Sequence, residues 1–255
     1  MSAAVPWYYL PQFRPARLQD CVLWLESDSF SGSIWRNLAP SYTDRNHGAA
    51  GGGVGLSTWH PQFSPAPTFY GDDEHLDVPD DDSLDATDAV TIEAWVNGVY
   101  SGASKGLLDK GNSASAKLVN YYAYFNSGQG RFYIGDGTNY NSVFTSQLTD
   151  YQWYHITFTL DADYLESSVN GEFCEQTERT INPQPNNQNL LVGTLTTAPR
   201  FLFHGIIPLV RIYKAALTPA EVMHNYTHHP LYYLQRGIDP YQVIAAATAA
   251  AAPSI

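Results

Sequence analysis

Residues 68–96 read TFYGDDEHLDVPDDDSLDATDAVTIEAWV, and they decide the fold. An aromatic pair runs into Gly71-Asp72-Asp73. A short apolar segment around Leu76 and Val78 follows, and then an acidic turn from Asp80 to Asp88. The stretch closes on Val90-Thr-Ile-Glu-Ala-Trp-Val96, where Val90, Ile92, Ala94 and Val96 fall on one face of an extended chain. Alternation with a period of two is the mark of a strand with one buried face.

Working outward, WYHITFTLDADYLESSVNGEF (153–173) repeats that alternation, with Tyr154, Ile156, Phe158 and Leu160 together. It then reaches Asn170-Gly171, a pair that tolerates positive φ and marks a hairpin. Gly128, Gly130, Gly135 and Gly137 punctuate another hairpin region around Arg131-Phe-Tyr-Ile134. In FHGIIPLVRIYKAALTPAEVMHNY (203–226) a strand gives way to a helix. Thr218 caps it, Pro219 occupies the first turn, and Glu221 completes a capping box. Pro230 blocks its extension beyond about His228.

Taken in order, these stretches resemble the laminin-G-like domains of the concanavalin-A-like lectin and glucanase superfamily. The matching patterns are the aromatic-Gly-Asp-Asp start, the "W-h-H-h-x-h … h-x-V-N-G" hairpin (h, apolar), and the closing "V-R-I-Y-x-x-A-L-[ST]-x-x-E". LWLESDSFSGSIWRNLAP with DRNHG is a weaker match to the opening strand and its Trp-bearing turn. The resemblance spans roughly residues 20–228. It implies an all-β fold: a two-sheet antiparallel jelly-roll sandwich, with one short C-terminal helix and extended terminal arms. About a dozen strands fit at typical lengths. The expected organisation is an arm over 1–20, the sandwich over 21–229, and a tail over 230–255 that is Ala-rich at its end.

Composition excludes several functions. The formal net charge of −12, with 13 Lys and Arg scattered along the chain, does not suit a phosphate backbone, so nucleic acid is not an expected partner. No segment approaches the length of about 18 apolar residues that would span a bilayer, so membrane insertion is not expected. The first residues lack a basic start followed by an uninterrupted apolar run, and no secretory signal is read there. Cys21 and Cys174 are the only thiols and do not read as a disulfide framework. The glycines at 51–55 lack the Gly-Lys-Ser/Thr ending of a phosphate loop.

Four kinds of site can be weighed. Asp80, Asp81, Asp82 and Asp85 are candidate ligands for calcium, which takes hard oxygens from flexible loops. The resemblance supports this, since many relatives bind calcium at a loop rim, although no cofactor is required. Glycoside hydrolysis needs two carboxylates across a cleft. The nearest approach to the Glu-x-Asp-x-x-Glu of the glucanases is Glu26-Ser-Asp28-Ser-Phe-Ser31, which ends in Ser, so the chain is not expected to be an enzyme. His224 and His228 have helical spacing but lack the rest of a zinc motif. Tyr100, Tyr121, Tyr122, Tyr124, Tyr140 and Tyr151 lie in or near expected loops and could stack on sugars.

The arms are the remaining candidates. Trp7, Tyr8, Tyr9 and Phe13 precede the sandwich, and Leu231, Tyr232 and Tyr233 follow it. At Pro208-Leu209 the chain departs from the Asp-Glu usual in the resembling family. Apolar groups on such segments need cover, from the chain's own sandwich or from neighbours. These residues are the expected contacts with copies of the chain or with other particle proteins. The opening pattern is also similar to laminin-G-like domains of phage structural proteins. The expected role is therefore a structural or adhesive component of a virion or other extracellular particle, made in the cytoplasm, with surface glycans as further partners. The alternative is a stand-alone carbohydrate-binding lectin, with or without dependence on calcium.

Overall fold

The structure, a computed structural model, describes residues 7–10, 13–58, 65–112, 115–195 and 201–251. Sixteen strands form it, more than the dozen expected, because several are only three or four residues long. The first eight are β1 (Cys21–Ser31), β2 (Ile34–Asn37), β3 (Gly48–Gly51), β4 (Gly55–Ser57), β5 (Ala66–Tyr70), β6 (His75–Val78), β7 (Val90–Gly98) and β8 (Lys105–Gly111). The others are β9 (Val119–Asn126), β10 (Gln129–Gly135), β11 (Tyr140–Gln147), β12 (Trp153–Leu160), β13 (Tyr164–Val169), β14 (Glu172–Glu178), β15 (Leu190–Val192) and β16 (His204–Tyr213).

Every pairing is antiparallel, along the path β11-β10-β9-β8-β15-β6-β3-β2-β1-β16-β7-β12-β13-β14, with β4 and β5 attached beside β16. The path folds over on itself, so that the inner faces of its two halves meet. Ile92, Ala94 and Val96 of β7 and Ile156 and Phe158 of β12 share one core with Tyr121, Ala123 and Phe125 of β9 and Phe132 and Ile134 of β10. Phe132 and Phe158 stack across the gap at 5.3 Å. The two ends of the path approach each other, where Glu175 of β14 accepts from Phe144 N of β11 at 2.8 Å. The sandwich is thereby nearly closed, which leaves little bare edge to aggregate.

The hairpin predicted at Asn170-Gly171 joins β13 to β14, with φ of 54° and 79° at the two residues. The predicted helix is α1 (Pro219–Thr227), with both bonds of its capping box present. Two more helices follow, α2 (Pro230–Leu234) and α3 (Pro240–Ala251). Pro230 does stop α1, but it also opens α2, where a missing N–H costs nothing. The Ala-rich segment is helical through Ala251, and residues 252–255 lie outside the described part.

Strands β1 and β7 depart from the expected single buried face: both sides are buried along most of their length. The outer face of the β1-β16-β7-β12 layer carries Trp24, Glu26, Leu209, Arg211, Glu93, Trp95 and His155, and the two terminal segments cover it. Trp7, Tyr8, Leu10 and Phe13 form a second core with Trp24, Trp95, Leu209, Tyr226 and Leu231. The arm is therefore not a free extension. Its rings shield an aromatic sheet face, and its backbone is tied to α1 by Ala16 N donating to Asn225 Oδ1 at 2.7 Å.

Trp7, Tyr8, Phe13 and Leu231, expected at subunit contacts, have their apolar surface buried within the chain. Tyr232 and Tyr233 are half-buried against the same core, and the side chain of Tyr9 lies outside the described part. Pro208 and Leu209 are buried too, on a strand between β1 and β7 rather than at an edge. The ladder with β7 is interrupted between Ile206 and Leu209. An irregularity of this kind lets a central strand hold a proline.

Candidate functional site

The opposite outer face, on β8 to β11, is built differently. Alternation turns Tyr121, Ala123 and Phe125 inward and Tyr122 and Tyr124 outward. On β10, Phe132 and Ile134 point to the core and Arg131 and Tyr133 point away from it. Register then sets the outward residues in rows. Asp109, Tyr122, Tyr133 and Ser142 are consecutive cross-strand partners, and so are Tyr124, Arg131 and Phe144.

The rings in these rows touch. Tyr122 and Tyr133 are parallel within 1° at 4.9 Å, and Tyr124 stacks on both, at 5.5 and 5.7 Å. Tyr140 and Phe144 extend the group, at 5.6 and 6.2 Å from Tyr133. Arg131 holds its guanidinium 5.1 Å from the centre of the Phe144 ring. Its Nε is buried with no partner in the protein. Burial, with the hydrogen bond to Tyr124 next, pushes the Tyr133 hydroxyl up to about 12, so at neutral pH it keeps its proton and can donate. Exposure grades along the group, from buried Tyr122 to Tyr140 at 49%.

The structure thus brings together three of the six tyrosines singled out by sequence. Tyr100 and Tyr121 are instead fully buried, with their hydroxyls donating to the carbonyls of Gln152 and Leu84. Tyr151 is 64% exposed, apart from the group, at a loop position with φ of 59°. Tyr133, Phe144 and Arg131 were missed, because only strand register shows that they face Tyr122 and Tyr124.

At the acidic turn the carboxylates have partners within the chain. Asp80 and Asp85 lie 2.7 and 3.1 Å from the ammonium of Lys110, whose side chain is fully buried. Lys110 also donates to the carbonyls of Asn186 and Gln188. A lysine head therefore lies between these two carboxylates. Asp81 accepts from Ser83 N, and the Ser83 hydroxyl first, then that N–H and the neighbouring Arg45, hold its carboxyl below the ordinary value. Asp82 opens the short 3-10 turn Asp82–Leu84 that Asp81 caps. Among the described residues no group of three or more His, Cys, Asp or Glu is placed to hold a metal ion. His224 and His228 stack on each other at 3.8 Å. Cys21 and Cys174 are both free.

Under the arm and helices lies a third cluster. Glu26, Glu93, His155, Arg211 and His229 are all at or near zero exposure. Arg211 donates to Glu93 Oε1 at 2.7 Å, and His155 Nε2 is 3.3 Å from Glu93 Oε2. Tyr213 and Asn225 also donate to Glu93. Burial alone would push the Glu93 carboxyl up, but Arg211 and His155 hold it at about 2. Glu26 has no such direct donor pair, and burial raises it to about 7 against the pull of Arg211. A split of this kind is what acid–base pairs in glycosidases use. Here both carboxylates are buried beneath the arm and helices.

A cleft of about 560 Å³ opens beside this cover, between α1, α2 and the β13–β14 hairpin, with Phe173, Met223, Tyr232 and Arg236 among its walls. Among the described residues no helix is long and apolar enough to cross a membrane.

Two facing antiparallel layers, an Asn-Gly hairpin and a capped closing helix define an all-β sandwich of the jelly-roll class. Residues 70–223 match the family described as the concanavalin A-like lectin/glucanases superfamily, and the chain belongs to it. No curated protein sequence matches significantly. Among solved structures, the chain is similar to Domain 4 of AbnA, an extracellular arabinanase from Geobacillus stearothermophilus, in complex with arabinotriose. That match has a TM-score of 0.63 and 17% identity, and covers 81% of this chain and 98% of that one. It is also similar to the binding domain of Paraclostridial Mosquitocidal Protein 1 (TM-score 0.63, 15% identity, 82% and 52% covered). A third is the botulinum neurotoxin serotype D ligand binding domain in complex with N-acetylneuraminic acid (TM-score 0.62, 10% identity, 84% and 52% covered). The chain spans about half the length of these toxin domains. At such identities the likeness is one of fold.

Proposed function

We propose that this chain is a non-enzymatic, lectin-like module that binds neutral oligosaccharides across the outer face of β8 to β11. The contiguous aromatic group of Tyr122, Tyr124, Tyr133, Tyr140 and Phe144 carries this reading. The C–H face of a sugar packs on an aromatic ring, while its hydroxyls need donors and acceptors beside the ring. The tyrosine hydroxyls and the unpartnered Nε of Arg131 provide such groups. A net charge of −12 disfavours anionic glycans at long range, which points to neutral ones. The arabinanase domain, almost all of which the match covers, is in complex with arabinotriose, which supports saccharide binding on this fold. Of the larger-assembly role, only the adhesive half is carried forward, because the arm aromatics are occupied inside the chain.

Glycan-array screening followed by titration calorimetry tests the proposal. Tyr133→Ala, Tyr140→Ala and Arg131→Ala should each weaken the best hit by about tenfold, as loss of roughly 1.4 kcal/mol of stacking or hydrogen bonding requires. Phe173→Ala and Arg236→Ala, in the cleft, should leave it unchanged. Loss of binding in the cleft variants alone would move the site there. A chain that binds no glycan would overturn the reading.

A further inference from the structure

His229 sits where every part of the cover meets. Its Nδ1 accepts from Leu231 N at 3.2 Å, which caps α2. An accepting Nδ1 leaves the ring proton on Nε2, and Nε2 is 3.6 Å from Glu26 Oε2. Neither of those two atoms has a hydrogen-bond partner in the protein. The ring stacks on Trp95 of the sheet at 5.4 Å and meets the edge of Trp7 of the arm at 5.3 Å. The titratable and charged groups around it are Glu26 and Asp28 from β1, Glu93 from β7, His155 from β12 and Arg211 from β16. The arm contributes Trp7, and α1 contributes Tyr226, stacked on the same Trp95.

We propose that His229 is the pin of an acid-released latch holding the N-terminal arm and the helices α2 and α3 on the β1-β16-β7-β12 face. A second proton on the ring would occupy Nδ1, remove the acceptor that caps α2, and set a cation beside Arg211. The cover must then lift for that proton to be held. Glu93, Arg211 and His155 stand on sheet strands and stay together in either state.

Proton counting decides when the latch opens. Closed, His229 is neutral, because burial first and then Arg211 lower it well below its ordinary 6.5. Closed, Glu26 keeps its proton up to about 7, whereas exposed it would lose it near 4.5. Between about 4.5 and 6.5, lifting the cover therefore moves one proton from Glu26 to His229, with no net uptake. Opening is insensitive to pH there. Below about 4.5 Glu26 is protonated in both states, so opening takes up one proton and becomes about tenfold more favourable per pH unit.

Hydrogen exchange of the full chain, corrected for intrinsic rates, tests this by comparing residues 13–20 and 230–234 with β7. In the natural protein, cover protection should hold to about pH 4.5 and then fall about tenfold per pH unit, while β7, which opens only on global unfolding, stays much better protected than the cover at every pH. In Glu26→Gln the compensating proton is gone, so the fall should begin near 6.5 and reach about a hundredfold by pH 4.5. His229→Asn keeps a neutral capping acceptor and should show no acid loosening of the cover. If the cover and β7 show the same protection at each pH in the natural protein, the chain unfolds as one unit and there is no latch. The same onset in Glu26→Gln as in the natural protein would also overturn the proposal, because it would show that the Glu26 proton plays no part.

Discussion

The two outer faces of this sandwich follow the same alternation and come to opposite ends. On β1, β16, β7 and β12, the outward residues include four ionisable groups, roofed by an arm and helices. On β8 to β11, the outward residues include Asp109, which is buried, and Ser142, but a group of tyrosines with Phe144 and Arg131 dominates and grades into solvent at Tyr140. A charge under a roof has to find its partner inside the protein, and Arg211 is pinned to Glu93 for that reason. A ring at a surface needs no partner and keeps its polar tip free for others. What covers a face, more than what it is made of, divides structural from binding chemistry here.

Substitutions should therefore register as stability on the first face and as affinity on the second. The largest effect is expected for Arg211→Met, which strands a buried carboxylate and should cost about 3–5 kcal/mol in denaturant unfolding. Adding Glu93→Leu should recover much of that loss, since an apolar pair leaves no unpaired charge. Failure to recover would mean that packing, not pairing, is what Arg211 supplies.

Acid gives the next effect. Glu93 is held at about 2 rather than its ordinary 4.5, a depression that stabilises the fold above 4.5 by about 3 kcal/mol and is lost as pH falls from 4.5 towards 2. Glu93→Gln should flatten the pH dependence of unfolding in that window.

Lys110 belongs to neither face and sharpens the contrast. Lys110→Met leaves Asp80 and Asp85 without their cation and should cost about 1–3 kcal/mol. With Lys110 in place, a chelator should leave the melting temperature unchanged. A drop on chelation would reinstate calcium at this turn. The smallest stability effect, about 1 kcal/mol, is expected for Tyr133→Ala, although that variant should lose about tenfold in glycan affinity. A large loss of stability there would make the tyrosine face structural and erase the difference between the faces.

Much of the fold was legible because it rests on local rules. Val90–Val96 and Trp153–Leu160 alternate, Asn170-Gly171 accepts positive φ, and Thr218 with Glu221 closes a capping box. The candidate site was only half legible. Tyr122, Tyr124 and Tyr140 stood out as tyrosines near turns, but Tyr121 and Tyr100 stood out equally and are core. The neighbouring residues 121 and 122 have opposite fates because a strand turns successive side chains to opposite sides, and sequence does not say which side is inside. The acidic turn misled for a related reason: Lys110, which neutralises it, lies 30 residues from Asp80.

By itself, then, the sequence determined what depends on neighbours along the chain: the strands, the hairpin turn, the capped helix, and the family these place it in. Only the tertiary structure decided what depends on residues far apart in sequence. It set Tyr133 opposite Tyr122, Lys110 between two aspartates, and Trp7 against His229, 222 positions away. Propensity and capping act within a few residues. Pairing, burial and the proton affinities of Glu26 and Glu93 come from contacts that exist only once the two layers and their cover have closed.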